Sequence, residues 1–127
     1  MRLVDSSAWI EWLIDSPIGR RLAPELPQRD QCLVPTIVQL ELSEWLTREK
    51  SDSDADRFIA FTRTCVVINL DTSIALRAAN LCTEYRLATA DAVIYASAIE
   101  HEADVLTCDN HFEGLPNVVL LSNRRIL

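Results

Sequence analysis

Short apolar runs along the chain alternate with stretches in which apolar residues return every three or four positions. The first pattern predicts strands and the second amphipathic helices. Arg2-Leu3-Val4 reads as a strand leading straight to Asp5. Residues 7–14 then read as a helix, with Trp9, Ile10, Leu13 and Ile14 spaced to share a face. Cys32-Leu33-Val34 is a second strand ended by Pro35, and Thr36 is expected to cap a helix running to about Glu49. The polar stretch 49–57 reads as an exposed connection, followed by a helix over 55–64. Val66-Val67-Ile68 is β-branched and strand-like. Asp71-Thr72-Ser73 offers a cap for a helix reaching about Arg86, and Thr89 for another over 90–102. Val105-Leu106 and residues 118–121 supply the last strands.

Strands separated by helices imply right-handed crossovers and a parallel sheet covered on both faces, an α/β fold. The 127 residues form one domain, 1–127, large enough to bury a core without a metal or disulfide staple. In such sheets ligands collect at the carboxyl ends of the strands. With only Gly19 and Gly114, Gly-rich phosphate loops are excluded. Cys32, Cys65, Cys82 and Cys108 form no C-x-x-C pair and read as buried, reduced thiols. No basic-then-apolar leader opens the chain and no apolar run reaches membrane length, so a cytoplasmic location with no membrane contact is expected. A net charge of −7 argues against gripping nucleic acid by bulk charge.

The informative residues are acids placed where the pattern asks for something else. On a helical wheel from Ile37, Glu41 falls near about 40°, between Ile37 and Trp45 at about 80°, inside the apolar stripe. It is either an edge carboxylate reaching water or an arginine, or a buried one that needs a partner. Asp91 lies in the first turn of a helix apolar on nearly every side, where it serves as a dipole partner or faces a site above the sheet. Asp5 and Asp109 each follow a short strand, so both belong at the carboxyl edge, although Asp5 could instead cap the next helix. If the four converge, close pairs repel by a few kcal/mol at an effective dielectric of about 20. A hard divalent cation, Mg²⁺ or Mn²⁺, is the simplest compensation, because such ions favour carboxylate and water oxygens. Metal-activated water attacking a phosphodiester then fits better than covalent catalysis, since no nucleophile stands beside a histidine. His101 reads as solvated. His111, two residues after Asp109, flanks the expected site as a candidate substrate contact; a zinc site with Cys108 would need two distant partners.

Four segments carry a family likeness in order: Leu3-Val4-Asp5-Ser6-Ser7-Ala8-Trp9-Ile10, Val38-Gln39-Leu40-Glu41-Leu42, Ala90-Asp91-Ala92-Val93-Ile94-Tyr95-Ala96-Ser97-Ala98, and Leu106-Thr107-Cys108-Asp109-Asn110-His111-Phe112. Together they resemble a PIN-domain ribonuclease, most closely a VapC-type toxin of a toxin–antitoxin pair. The likeness implies a flavodoxin-like α/β/α sandwich on a mostly parallel five-stranded sheet. It implies an acidic quartet of Asp5, Glu41, Asp91 and Asp109, with the three aspartates as metal ligands and Glu41 acting through water. Ser7 and Thr107 match hydroxyl positions that orient the first and last acids, while Ser6 stands where threonine is more usual. Also implied are cleavage of structured RNA (tRNA or rRNA), a homodimer, and an antitoxin (VapB-like) whose C-terminal segment blocks the pocket. Other readings remain. A receiver-like signalling domain needs a lysine after a late strand, and the only lysine is Lys50; a haloacid-dehalogenase-type phosphatase needs an acid at Ser7. A non-catalytic PIN-like binding module is the third class. Arg20, Arg21, Arg124 and Arg125 are candidate RNA contacts, since the guanidinium fork suits phosphate. Two divalent ions in the pocket would bring the charge from −7 to −3.

Overall fold

A computed structural model describes residues 1–122. Arg124 and Arg125 lie outside the described residues. The strands are β1 (Arg2–Val4), β2 (Cys32–Pro35), β3 (Val66–Ile68), β4 (Asp104–Thr107) and β5 (Val118–Leu120). The helices are α1 (Ser6–Leu13), α2 (Pro17–Leu22), α3 (Thr36–Glu49), α4 (Asp52–Thr62), α5 (Thr72–Tyr85) and α6 (Thr89–Glu100). The five strands form one sheet in the order β3-β2-β1-β4-β5, and every pairing is parallel.

That order makes the sheet doubly wound. From β1 the chain steps outward through β2 to β3, then crosses back to β4 and continues outward to β5. The direction reverses between β1 and β4, which leaves a crevice at the carboxyl ends of those two strands. The central strands are apolar because both faces are covered: Leu3, Val4, Leu33, Val34, Val105 and Leu106 are fully buried. At the opposite end of the β1–β4 pair, Arg2 donates Nε and Nη2 to the two carboxylate oxygens of Asp104, each at 2.9 Å. This half-buried bidentate pair joins register partners on adjacent strands.

Several expectations need correction. Thr36 and Thr89 are not caps: each is the first residue of its helix, and the cap positions belong to Pro35 and Ala88, which make no side-chain hydrogen bond. The chain enters both helices from extended backbone one residue earlier than the hydroxyls suggest. Asp71 does cap α5, accepting from Ile74 N–H at 2.9 Å. The polar stretch 49–57 is mostly helix, because Ser51 caps α4 and the acids of its first turn complement the helix dipole. Helix α2 was not anticipated, although Ser16-Pro17 carries the signal: Ser16 Oγ accepts from Gly19 N–H at 2.9 Å, with proline at the first helical position. Of the four cysteines only Cys32 is buried; Cys65, Cys82 and Cys108 are half-buried and all are free. On α5 the buried stripe is Ile74, Ala78 and Leu81, so Cys82 falls at its margin. Burial, reinforced by Cys65, pushes the Cys32 thiol up to about 12, and burial pushes Cys108 up to about 11, so both stay protonated. Among the described residues no helix is long and apolar enough to cross a membrane.

Helix α2 docks so tightly on α1 that a Cβ on Gly19 would stand 2.1 Å from the Glu11 carbonyl oxygen. That oxygen is backbone and cannot swing aside. Gly19→Ala is therefore expected to destabilise the domain by about 2 kcal/mol, as overpacking does, read as a lower denaturation midpoint in urea. An unchanged midpoint would contradict the close α1–α2 approach.

Candidate functional site

The β1–β4 pairing delivers two of the acids. The Asp5 N–H continues the ladder beyond β1, donating to the Leu106 carbonyl at 2.9 Å, so Asp5 sits beside the end of β4. Its side chain is only 4% exposed. Asp5 holds the cap position of α1 but makes no side-chain cap bond, contrary to one reading of its place in the sequence. Instead its Oδ2 accepts from Ser7 Oγ at 2.7 Å and from Thr107 Oγ1 at 2.8 Å. Each hydroxyl has one proton, so the 3.2 Å contact between them is an approach and not a further donated bond. Their lone pairs are used as well: Ser7 Oγ accepts from the Cys108 N–H and Thr107 Oγ1 from the Asp109 N–H. Ser7 and Thr107 therefore both serve Asp5, while Thr107 reaches Asp109 only through its backbone.

Glu41 arrives from α3. The buried stripe of that helix is Val38, Leu42 and Leu46, and Leu40 is 63% exposed. The stripe is thus centred farther round the helix than the wheel from Ile37 suggested, and Glu41 is half-buried at its margin. Among the described residues its partner is not an arginine: Ser6 Oγ donates to Oε1 at 2.7 Å. Ser6, whose role the sequence reading missed, is the functional neighbour its position directly after Asp5 could have signalled. Asp91 occupies the first turn of α6, as expected, and the run Ala92–Ala98 behind it is continuously buried. Asp109 follows β4 and opens a short 3₁₀ turn, Asn110–Phe112, accepting from the His111 N–H at 2.9 Å. The His111 Nδ1 lies 3.4 Å from Asp91 Oδ2 and 3.3 Å from Asp109 Oδ1.

Burial is the main force holding the pKa values of Asp5, Glu41 and Asp91 above the ordinary carboxylate range. Like charge adds to it: Asp109 acts on Asp5 and Asp91, while Asp5 and Asp91 act on Glu41. Hydroxyl bonds from Ser7, Thr107 and Ser6, and the His111 imidazole, pull the other way without cancelling the shift. The four acids named from the sequence thus share one electrostatic site. Among the described residues, His111 is the only basic side chain within ion-pair distance of any of them. Arg20 stands on α2 beside Asp15, and neither it nor Arg21 takes part in the described contacts of the site. His101 binds the Ser97 carbonyl at the end of α6. The donor set fits a hard divalent ion: one ligand atom each from Asp91, Asp109 and His111 fall within 4.8 Å of one another, with Asp5 and Glu41 adjoining. Cys108 is not among them.

Burying these acids costs stability only when they are charged. Each raised pKa therefore favours the fold at low pH, and that advantage is lost as pH rises through the folded-state value. In chelator at neutral pH, Asp91→Asn is expected to melt above the wild type. The gap should close as pH falls toward about 4, the unfolded carboxylate value. Thermal melts across that range check it, and a variant that melts no higher at neutral pH contradicts the strain.

Comparison with known proteins agrees with this geometry. The PIN domain family model matches residues 2–117. No curated protein matches the sequence. Among solved structures, a toxin–antitoxin complex from Klebsiella pneumoniae contains a similar chain, with 25% identity and a TM-score of 0.81 over 94% of this chain and 96% of that one. The VapC20 toxin of Mycobacterium tuberculosis, described as cleaving the sarcin-ricin loop, is 16% identical with a TM-score of 0.76, covering 93% and 97%. FitAcB from Neisseria gonorrhoeae is 18% identical with a TM-score of 0.76, covering 95% and 97%. The last two establish likeness of fold. The chain belongs to the PIN domain family.

Proposed function

We propose that this PIN-domain protein is a VapC-type toxin: a Mg²⁺- or Mn²⁺-dependent endoribonuclease that cuts structured RNA and is held in check by an antitoxin. The observation that carries the reading is the gathering of Asp5, Glu41, Asp91 and Asp109 at the sheet's switch point with no arginine or lysine paired to them among the described residues. Such a cluster is strained until a cation enters. When bound, the ion would supply Lewis-acid polarisation of the phosphodiester and a more acidic attacking water. Asp91 and Asp109 present the accessible carboxylates for holding it. Asp5, fixed by two hydroxyls, gives the site a rigid inner wall, and Glu41 on its Ser6 tether is placed to orient water. The similarity to a chain from a toxin–antitoxin complex supports the partner.

An open, mostly apolar groove between α1, α3 and α4 supports it as well, lined by Trp12, Leu13, Leu46, Phe58 and Phe61 together with the charged Lys50, Asp54 and Arg57. Trp12 and Phe61 are more than a third exposed there, an unusual pairing of large aromatics for a solvated face. Self-association belongs to the same reading, and Leu40 on α3 and Leu76 on α5 are exposed apolar side chains available for it. The receiver alternative has no support, because Lys50 lies between α3 and α4 in the wall of that groove, away from the acids.

Incubation of purified protein with tRNA and with a sarcin-ricin-loop hairpin tests the proposal. Cleavage is expected in Mg²⁺ or Mn²⁺, none in chelator, and at least about a hundredfold loss in Asp5→Asn and Asp91→Asn with the fold retained. Metal-independent cleavage, or full activity in either variant, overturns it. RNA binding in chelator should also be weaker than in Mg²⁺, since the acids then repel phosphate; filter binding in the two conditions measures this.

A further inference from the structure

Among the site's residues His111 stands apart. It is neither an acid nor one of the hydroxyls that hold the acids, and its side chain is 74% exposed. Yet it is not loosely placed. Its N–H is tied to Asp109 Oδ1, and the next residue, Phe112, is fully buried. The Phe112 ring packs edge-on against Tyr95, with centroids 6.3 Å apart, and Tyr95 stands one turn beyond Asp91 on α6. The turn carrying His111 is thereby fastened to the helix carrying Asp91.

Building on the metal-dependent reading above, we infer that the His111 imidazole is a direct ligand of the divalent ion held between Asp91 and Asp109, making this a mixed nitrogen–oxygen site that prefers Mn²⁺ to Mg²⁺. An octahedral ion with bonds of about 2.1 Å keeps neighbouring ligand atoms about 3 Å apart. His111 Nδ1 lies at 3.4 and 3.3 Å from one oxygen of each aspartate, close to that spacing, and all three ligand atoms fall within 4.8 Å of one another. A metal ion bound at Nδ1 would take the place of the proton this nitrogen shares with the carboxylates, leaving the ring's remaining proton on Nε2. Magnesium favours an all-oxygen shell, whereas imidazole suits transition ions, so the nitrogen discriminates between the two.

Mn²⁺ titration of the whole protein, followed by electron paramagnetic resonance, tests the inference without relying on activity. In wild type, bound Mn²⁺ should show electron spin-echo modulation from an imidazole nitrogen. His111→Ala, exposed enough to leave the fold intact, should lose that signal and bind Mn²⁺ about tenfold more weakly. Its Mg²⁺ affinity, measured by competition, should change less than its Mn²⁺ affinity. In His111→Asn the amide oxygen stands as many bonds from the backbone as Nδ1 does; it should recover part of the Mn²⁺ affinity without the nitrogen signal. Bound Mn²⁺ without nitrogen coupling in wild type overturns the inference. So does tighter or unchanged Mn²⁺ binding by His111→Ala, which would make the imidazole a counter-ion that competes with the metal. Either result leaves the nuclease reading standing. Failure of wild type to bind Mn²⁺ also overturns the inference, and failure to bind Mg²⁺ as well overturns both.

Discussion

The site exists because β1 and β4, about a hundred residues apart in the chain, lie side by side in parallel register. Arg2 and Asp104 lock one end of the pair, and the Asp5 N–H bonded to the Leu106 carbonyl extends it at the other. One residue of slip would exchange the faces of every side chain on β4 and carry Thr107 away from Asp5. Parallel pairing also makes both strands end in the same place, so the residues that follow them, Asp5 and Asp109, meet at one edge. An antiparallel arrangement of the same strands would send them to opposite ends of the sheet.

Crowding acids there costs stability, and the surrounding residues confine that cost instead of removing it. A lysine or arginine in the cluster would neutralise it and also fill the space a metal needs. The chain uses hydroxyls: Ser6, Ser7 and Thr107 donate one proton each, to Glu41 and Asp5. Neutral donors hold carboxylates in fixed rotamers while leaving the net charge of the site unchanged. The arrangement keeps the site short of positive charge, which is the condition for a cation to bind.

The acids themselves were legible in the sequence because each breaks a local rule. Asp5 and Asp109 end apolar strands, Asp91 opens a helix with no polar face, and Glu41 interrupts an apolar helix. What escaped were relations between segments. Nothing along the chain says that Ser6 would reach Glu41, 35 residues away, or that Ser7 and Thr107 would meet on a single oxygen. The strands and long helices were legible for the same reason as the acids, since periodicity is local. Helix α2 was not, because at six residues it is too short to show a period, and its only mark is the cap at Ser16. The wheel put Glu41 inside the apolar stripe, whereas it lies at the margin, because the stripe is centred elsewhere. Ile37 and Trp45, between which the wheel sets Glu41, are only half-buried, and only packing on the rest of the fold reveals which apolar residues of the helix face inward.

The net charge of −7 changes meaning once the acids are placed. Spread evenly, it would oppose any polyanion at long range. The strongest part of it is instead concentrated in the switch-point crevice, where salt screens it poorly and where a bound divalent ion would offset it locally. Surface acids such as Glu44, Asp54 and Glu100 are already matched by arginines on their own or neighbouring helices. Outside the crevice, therefore, much of the acidic surplus is locally paired and reaches little beyond a Debye length. On the proposed function, an RNA approaching this protein would meet its main electrostatic barrier at the acidic crevice, and the metal held there would also be what lowers that barrier.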